Sequence, residues 1–219
     1  MENFKIDVDG DGIALVTFDV PGRTMNTLTA SVIREIGEVV EAIKTDDAIK
    51  GAVLTSGKTT GFCAGADLGE LGGAEGGIGG GDLKAAFDVG FALNKAFRAL
   101  ETGGKPIAAA INGLALGGGL EMTLACHYRV VADNPKTQLG LPEAKAGLLP
   151  GGGGTQRLVR LMGVMAAAPY LLEGKSMKPD EALALKVDHE VVPADQVIEA
   201  AKTWIKTKGD AVAPWDKKD

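Results

Sequence analysis

Apolar and polar positions change period several times along the chain. Phe4–Asp9 (FKIDVD) and Ile13–Asp19 (IALVTFD) alternate or run apolar on either side of Gly10–Gly12, which predicts a β-hairpin. After the loop PGRTMNTLT, residues Val32, Ile33, Ile36, Val39, Val40 and Ile43 fall at helical spacing. With Thr29 as N-cap they predict a helix over residues 30–45. Gly51–Ser56 (GAVLTS) is a short apolar run followed by glycine and reads as a buried strand. Strand, helix and strand in this order make one β–α–β crossover, so a partly parallel sheet is expected.

The alternation continues. Phe62–Leu68 (FCAGADL) is a tight small-residue segment, followed by the glycine stretch LGGAEGGIGGGD. That stretch reads either as a surface loop or as a flank that closes over a cleft. Asp82 is placed to cap a long helix reaching Thr102, with Leu83, Phe87, Phe91, Leu93, Phe97 and Leu100 as its apolar members. Pro106–Asn112 reads as a buried strand, Gly113–Gly119 as the lead into a helix LEMTLAC, and HYRVVAD as a further strand. TQLGLPE is extended, TQRLVRLMG and DEALALK are helical, HEVVP is a short strand, and Ala194–Lys208 is a last helix. One α/β domain over residues 1–207 accounts for this. The tail 208–219 (KGDAVAPWDKKD) reads as the start of a linker or as a frayed end.

Composition narrows the classes. With 45% hydrophobic and 24% charged residues the chain is expected to be a soluble globular protein with a real core. A net charge of −6 without a Lys/Arg stripe argues against a nucleic-acid surface, though not against one basic pocket. Cys63 and Cys126 have no metal-ligand spacing and sit among small apolar residues, so reduced core thiols are expected. The N-terminus lacks a signal pattern and no apolar run reaches membrane-spanning length, so a cytoplasmic protein is expected, with an organellar matrix as the alternative. Glycine is the outlier, 32 of 219 residues in clusters, and each cluster is either a loop or a place where backbone approaches a ligand.

Three segments carry candidate chemistry. NGLALGGGLE (112–121) runs from strand through three glycines into a helix start, where free N–H groups and the helix dipole suit a developing oxyanion. A phosphate loop would need Gly-Lys-Ser/Thr; here Leu-Glu-Met follows the glycines. LGLPEAKAGLLPGGGGTQRL (139–158) places Glu143 after a proline in apolar surroundings. Glu121 and Glu143, if brought together there, would raise each other's pKa and divide into one acid and one base. Either glutamate taken alone reads first as a solvated helix or loop acid. FCAGADL follows a parallel-type strand, where ligands of open α/β sheets bind, and Asp67 within it is also a plain turn or N-cap acid.

Taken in order and spacing, GFCAGADL, NGLALGGGLEMTLAC and LGLPEAKAGLLPGGGGTQRL resemble the enoyl-CoA hydratase/isomerase (crotonase) superfamily over residues 5–207. The resemblance implies a crotonase-like spiral of ββα units with mixed, largely parallel sheets. It implies an oxyanion hole from the N–H groups of Ala66 and Gly118, with Glu121 and Glu143 as the catalytic pair that hydrates a 2-trans-enoyl-CoA to the 3-hydroxyacyl-CoA of fatty-acid β-oxidation. Glu121 would orient and activate water and Glu143 supply the proton. Arg23, Met25, Ala64, Asp67, Leu68 and Pro142 would line the CoA and substrate groove. No cofactor or metal is implied beyond the CoA of the substrate itself.

Two departures from the family pattern matter. The stretch 72–81 is unusually simple, which leaves acyl-chain preference unread. The chain also ends before the C-terminal helices of single-domain members, and ACHYRVV and APWDKKD are similar to multifunctional fatty-acid oxidation proteins. A 3-hydroxyacyl-CoA dehydrogenase part in the same native chain and a thiolase subunit are the partners that likeness implies. Two other activities compete with hydration: Δ3-Δ2-enoyl-CoA isomerisation at the same site, and acyl-CoA binding without turnover. A thioester or carbon–carbon hydrolase is less well supported, since no serine or histidine pair stands in the motifs.

Overall fold

A computed structural model describes residues 1–67, 69 and 83–218. Its frame is a six-stranded sheet of order β1-β2-β3-β5-β7-β10. The hairpin β1 (Phe4–Val8) and β2 (Ile13–Phe18) is antiparallel. From β2 the sheet runs parallel through β3 (Gly51–Ser56), β5 (Ile107–Ile111), β7 (Tyr128–Ala132) and β10 (Glu190–Val192). The crossover helix α1 (Ala30–Thr45) is capped by Thr29, whose hydroxyl accepts from the Val32 N–H at 3.2 Å, and it buries Val32, Ile36, Val39, Val40 and Ile43. Both faces of the sheet are covered over its inner strands β3 and β5, which is why these read as continuous apolar runs. On one face Val53, Ala108, Ala110 and Val130 pack against Val197, Ala201 and Ile205 of the last helix, α7 (Val197–Thr207). On the other, Leu54, Ile107, Ala109 and Ile111 join α1 and α2 (Leu83–Thr102) in the main core.

A second sheet, order β4-β6-β8-β9, is expected from the sequence only at β8, within the extended TQLGLPE. Its strands are β4 (Gly61–Cys63), β6 (Leu114–Leu116), β8 (Leu139–Gly140) and β9 (Ser176–Met177), each only two or three residues long. Segments this short show no period of their own, and their pairing identifies them as strands. Each of the three motif segments passes through this sheet. Three helices follow it: α3 (Gly118–Leu124) leaves β6, while α4 (Gly154–Met162) and α5 (Val164–Leu172) lie between β8 and β9. A short helix α6 (Pro179–Ala184) leads on to β10. Cys63 and Cys126 are free and buried, as expected of core thiols. Among the described residues no helix is long and apolar enough to cross a membrane.

Two expectations change on the structure. The apolar stripe on α2 is not one core face: Phe97 and Leu100 are buried, but Phe87 and Phe91 are 64% and 51% exposed and stack on each other. Period identifies a helix face, and only its neighbours decide whether that face is covered. Extended TQLGLPE also ends early, because Pro142 starts a 3-10 turn over Pro142–Ala146. The cap at Asp82 and the glycine stretch 72–81 lie outside the described residues. In the tail, Ala213 is buried and Asp216 forms two 2.7 Å bonds with Arg98 of α2.

Candidate active site

Glu121 sits in the first turn of α3 with its residue 1% exposed. The helix is entered through Gly117 at φ 53°, ψ −130°, a conformation costly for any residue with a Cβ. That Cβ would also stand 3.1 Å from Glu143 Oε1, so the bare backbone lets the second carboxylate close in. One oxygen of Glu121 is clamped: Oε1 accepts from the N–H groups of Gly152 at 2.8 Å and Gly154 at 2.7 Å. A side chain on Gly152 would reach within 2.6 Å of Glu121 Oε2 and of Phe97, which explains glycine at the closest approach. Burial pushes the Glu121 carboxyl above its ordinary range, opposed by the two N–H donors and the Arg157 charge.

Glu143 lies in the 3-10 turn that Pro142 opens and Gly147 closes in the left-handed region. It is half-buried, and its Oε2 is buried without a hydrogen-bond partner among the described residues. Burial first, and the nearby Glu121 charge in addition, push its pKa up to about 7; its own backbone N–H opposes this. Two neighbouring carboxyls therefore differ in kind, one held by fixed dipoles and one with a free oxygen near neutrality.

Backbone donors adjoin them. A parallel bridge pairs Leu28 with Ala66, with Leu28 N–H donating to Gly65 C=O and Asp67 N–H to Leu28 C=O. The Ala66 N–H consequently points away from Leu28, and among the described residues it donates to no acceptor. Gly118, first residue of α3, has an N–H with no intrahelical acceptor. The two segments touch, since a Cβ on Gly65 would stand 3.5 Å from the Gly118 nitrogen. The structure thus brings Glu121, Glu143, Gly118 and the Ala64–Asp67 segment into one place.

The other candidates form the rim. Ala64 is exposed and its N–H donates to the Asn26 C=O at 2.9 Å. Arg23 pairs with Asp67, and Asp67 also accepts from the Gly69 N–H, so this arginine already has a carboxylate partner. Met25 is half-buried, its sulfur 3.9 Å from the Thr60 hydroxyl. Leu68 lies outside the described residues. Sequence reasoning passed over Asn26, which is fully buried. Its amide donates to Phe18 C=O, Ser56 Oγ and Phe62 C=O and accepts from the Val20 N–H, tying the loop 23–28 to β4. Its only sequence signal is an amide inside a loop, which is also what an ordinary turn shows. Arg157 was likewise missed, as one basic residue in an amphipathic helix. Among the described residues no group of three or more His, Cys, Asp or Glu could hold a metal.

The sequence profile of the enoyl-CoA hydratase/isomerase family matches residues 9–211. The chain is 46% identical over 200 residues to the fatty acid oxidation complex subunit alpha of Shewanella sp. strain MR-4, covering 91% of this chain and 27% of that protein. The subunit alpha of Idiomarina loihiensis is 44% identical over 198 residues, 90% and 27% of the two chains. The chain therefore spans about a quarter of the length of these relatives. Among solved structures, an enoyl-CoA hydratase of Geobacillus kaustophilus superposes with TM-score 0.84 at 28% identity, covering 94% of this chain and 74% of that one. Human mitochondrial delta3-delta2-enoyl-CoA isomerase superposes with TM-score 0.83 at 29% identity, covering 93% and 76%.

Proposed function

The chain belongs to the enoyl-CoA hydratase/isomerase family, and from that premise we propose that it hydrates 2-trans-enoyl-CoA thioesters to 3-hydroxyacyl-CoA. The observation that carries this reading is the unlike pair: Glu121 with Oε1 clamped by two N–H groups, beside Glu143 with a free buried Oε2 and a pKa near 7. The thioester oxygen is received by the N–H groups of Ala66 and Gly118. Donors already fixed in place stabilise an enolate without reorganisation, at about 10²–10³ in rate for one such donor. Glu121 orients water through its unclamped oxygen and takes its proton as the oxygen adds to C3. Glu143 delivers a proton to C2 as the enolate collapses. The Arg23–Leu28 loop and Ala64–Asp67 form the edge along which the CoA lies. The reading requires no cofactor beyond that CoA.

Isomerisation of a Δ3-enoyl-CoA is a second activity of the same site. The free oxygen on Glu143 favours it, because one acid can move a proton between C4 and C2 while the same N–H groups hold the dienolate. The likeness to an enzyme described as a delta3-delta2-enoyl-CoA isomerase supports this reading. By analogy with the subunit alpha relatives, the domain acts in fatty-acid oxidation; a 3-hydroxyacyl-CoA dehydrogenase part in the same native chain and a thiolase subunit are the partners proposed from the likeness of ACHYRVV and APWDKKD. Hydration of crotonyl-CoA, followed by loss of the enoyl absorbance, is the test; calorimetric binding of the thioester without turnover would favour a binding module.

A further inference from the structure

The Gly151–Gly154 turn that clamps Glu121 has no side chains with which to hold its own shape, and glycine backbone is the most permissive. Its rigidity must be imposed from outside. Among the described residues three side chains bond to its backbone: Glu121 accepts from Gly152 and Gly154, Asn94 donates to the Gly151 C=O, and Arg157 Nη1 donates to the Gly152 C=O at 2.7 Å. Gly152 is thus held at both ends, by the carboxylate on its N–H and by the guanidinium on its C=O. Arg157 is itself held, because its Nε donates to Glu101 Oε1 at 2.7 Å with both side chains buried. Glu101 Oε2 accepts from Arg98, which forks onto Asp216. The turn separates two spaces. Gly152 and Gly154 face Glu121, whereas Gly153, at φ 96°, lines a cleft of about 490 Å³ together with Asn94, Arg98, Arg157 and Trp215.

We propose that Arg157 is the positioning residue for Glu121: by gripping Gly152 it fixes the two backbone donors that aim the carboxylate, and Glu101 fixes the grip. This rests on the reading of Glu121 as the residue that acts on water. The planar fork suits the task, since it reaches a carbonyl and a carboxylate at once in a set geometry, which an ammonium on a flexible stem does not. A merely structural arginine joining α2 to α4 would leave kcat untouched in a folded variant, whereas its charge acts on the Glu121 ionisation in either case. Arg157 also places its charge where it favours the Glu121 carboxylate.

The test measures kcat, KM and the pH profile of crotonyl-CoA hydration for the parent chain, Arg157→Gln, Arg157→Lys and Glu121→Gln, with the Glu121 carboxyl titrated by ¹³C NMR. For Arg157→Gln, kcat falls about 10- to 100-fold with KM within about threefold, the cost of a small misplacement at the reacting centre. The Glu121 midpoint and the acid limb of the profile move to higher pH. Arg157→Lys keeps the charge but loses one of the two bonds, so its kcat lies between and its midpoint stays near the parent's. A folded Arg157→Gln protein with the parent's kcat and Glu121 midpoint overturns the proposal. If that variant does not fold, Arg157→Lys with unchanged kcat overturns it instead. Full activity in Glu121→Gln sinks the reading of Glu121 alone, and the Glu121 midpoint in Arg157→Gln still reports whether the arginine acts on that carboxylate.

Discussion

Glu143 and Asp188 make an instructive pair. Burial raises both carboxyls to about 7, and both have buried oxygens without hydrogen-bond partners among the described residues. Their surroundings differ. Asp188 is 2% exposed, just before β10, and the charge that opposes its burial is that of fully buried Arg129, whose guanidinium donates to the carbonyls of Thr123, Cys126 and Val187. Nothing can reach it without opening the fold. Glu143 is half-buried, next to a second carboxyl and the bare backbone of Gly117. A perturbed pKa thus marks burial; access and neighbouring donors turn it into chemistry.

Four predictions break or sharpen this comparison. Glu121→Gln should have the largest effect, lowering hydration kcat by about 10³-fold or more while the isomerase activity survives; loss of neither activity removes Glu121 from the mechanism. Glu143→Gln should cost about 10²–10³ in both activities. On the proposed mechanism protonated Glu143 is the working form for hydration, so hydration kcat/KM should fall as pH rises through about 7, and a flat profile from pH 6 to 8 would contradict the assignment. Gly152→Ala should lower stability by about 1–3 kcal/mol and reduce turnover, because its Cβ meets Glu121 and Phe97 at 2.6 Å; thermal melts and kcat on one preparation check both.

Asp188→Asn should change turnover least, within about twofold, since its partners are Arg129 and Ala182 and not the site's carboxyls or backbone donors. Its signature is in stability. The folded pKa of Asp188 is raised from 3.8 to about 7, so the folded chain holds more protons than the unfolded one between those values. Asp188 therefore costs the parent stability as pH rises from about 4 to 7, on the order of a few kcal/mol, and the asparagine variant escapes that loss. Melting curves at pH 5 and pH 8 should diverge between the two proteins at the higher pH. Equal pH dependence would mean that Arg129 keeps Asp188 charged throughout.

The elements legible beforehand share a property: they are long enough to carry their own period. The hairpin, α1 with its Thr29 cap and the runs GAVLTS and PIAAAIN are all found at the positions expected. Strands β4, β6 and β9 were not legible, and β8 only as part of the extended reading of TQLGLPE. Two or three residues complete no period, and what makes Leu139–Gly140 a strand is Ala115–Leu116 on one side and Ser176–Met177 on the other. The same holds for side chains: Asn26 and Arg157 matter through partners brought to them by folding, and the sequence near them is ordinary.

The sequence by itself determined the layered α/β frame, the order of the three glycine-bearing segments and the presence of a glutamate in two of them. The tertiary structure decided how those glutamates differ. Glu121 is clamped by N–H groups 31 and 33 residues away, and Glu143 is left with a free oxygen. Local pattern reports what a segment buries, because burial follows spacing along the chain. Which donor meets which carboxylate depends on where distant turns are set down, and here that is done by a sheet of very short strands and an arginine gripping a glycine carbonyl.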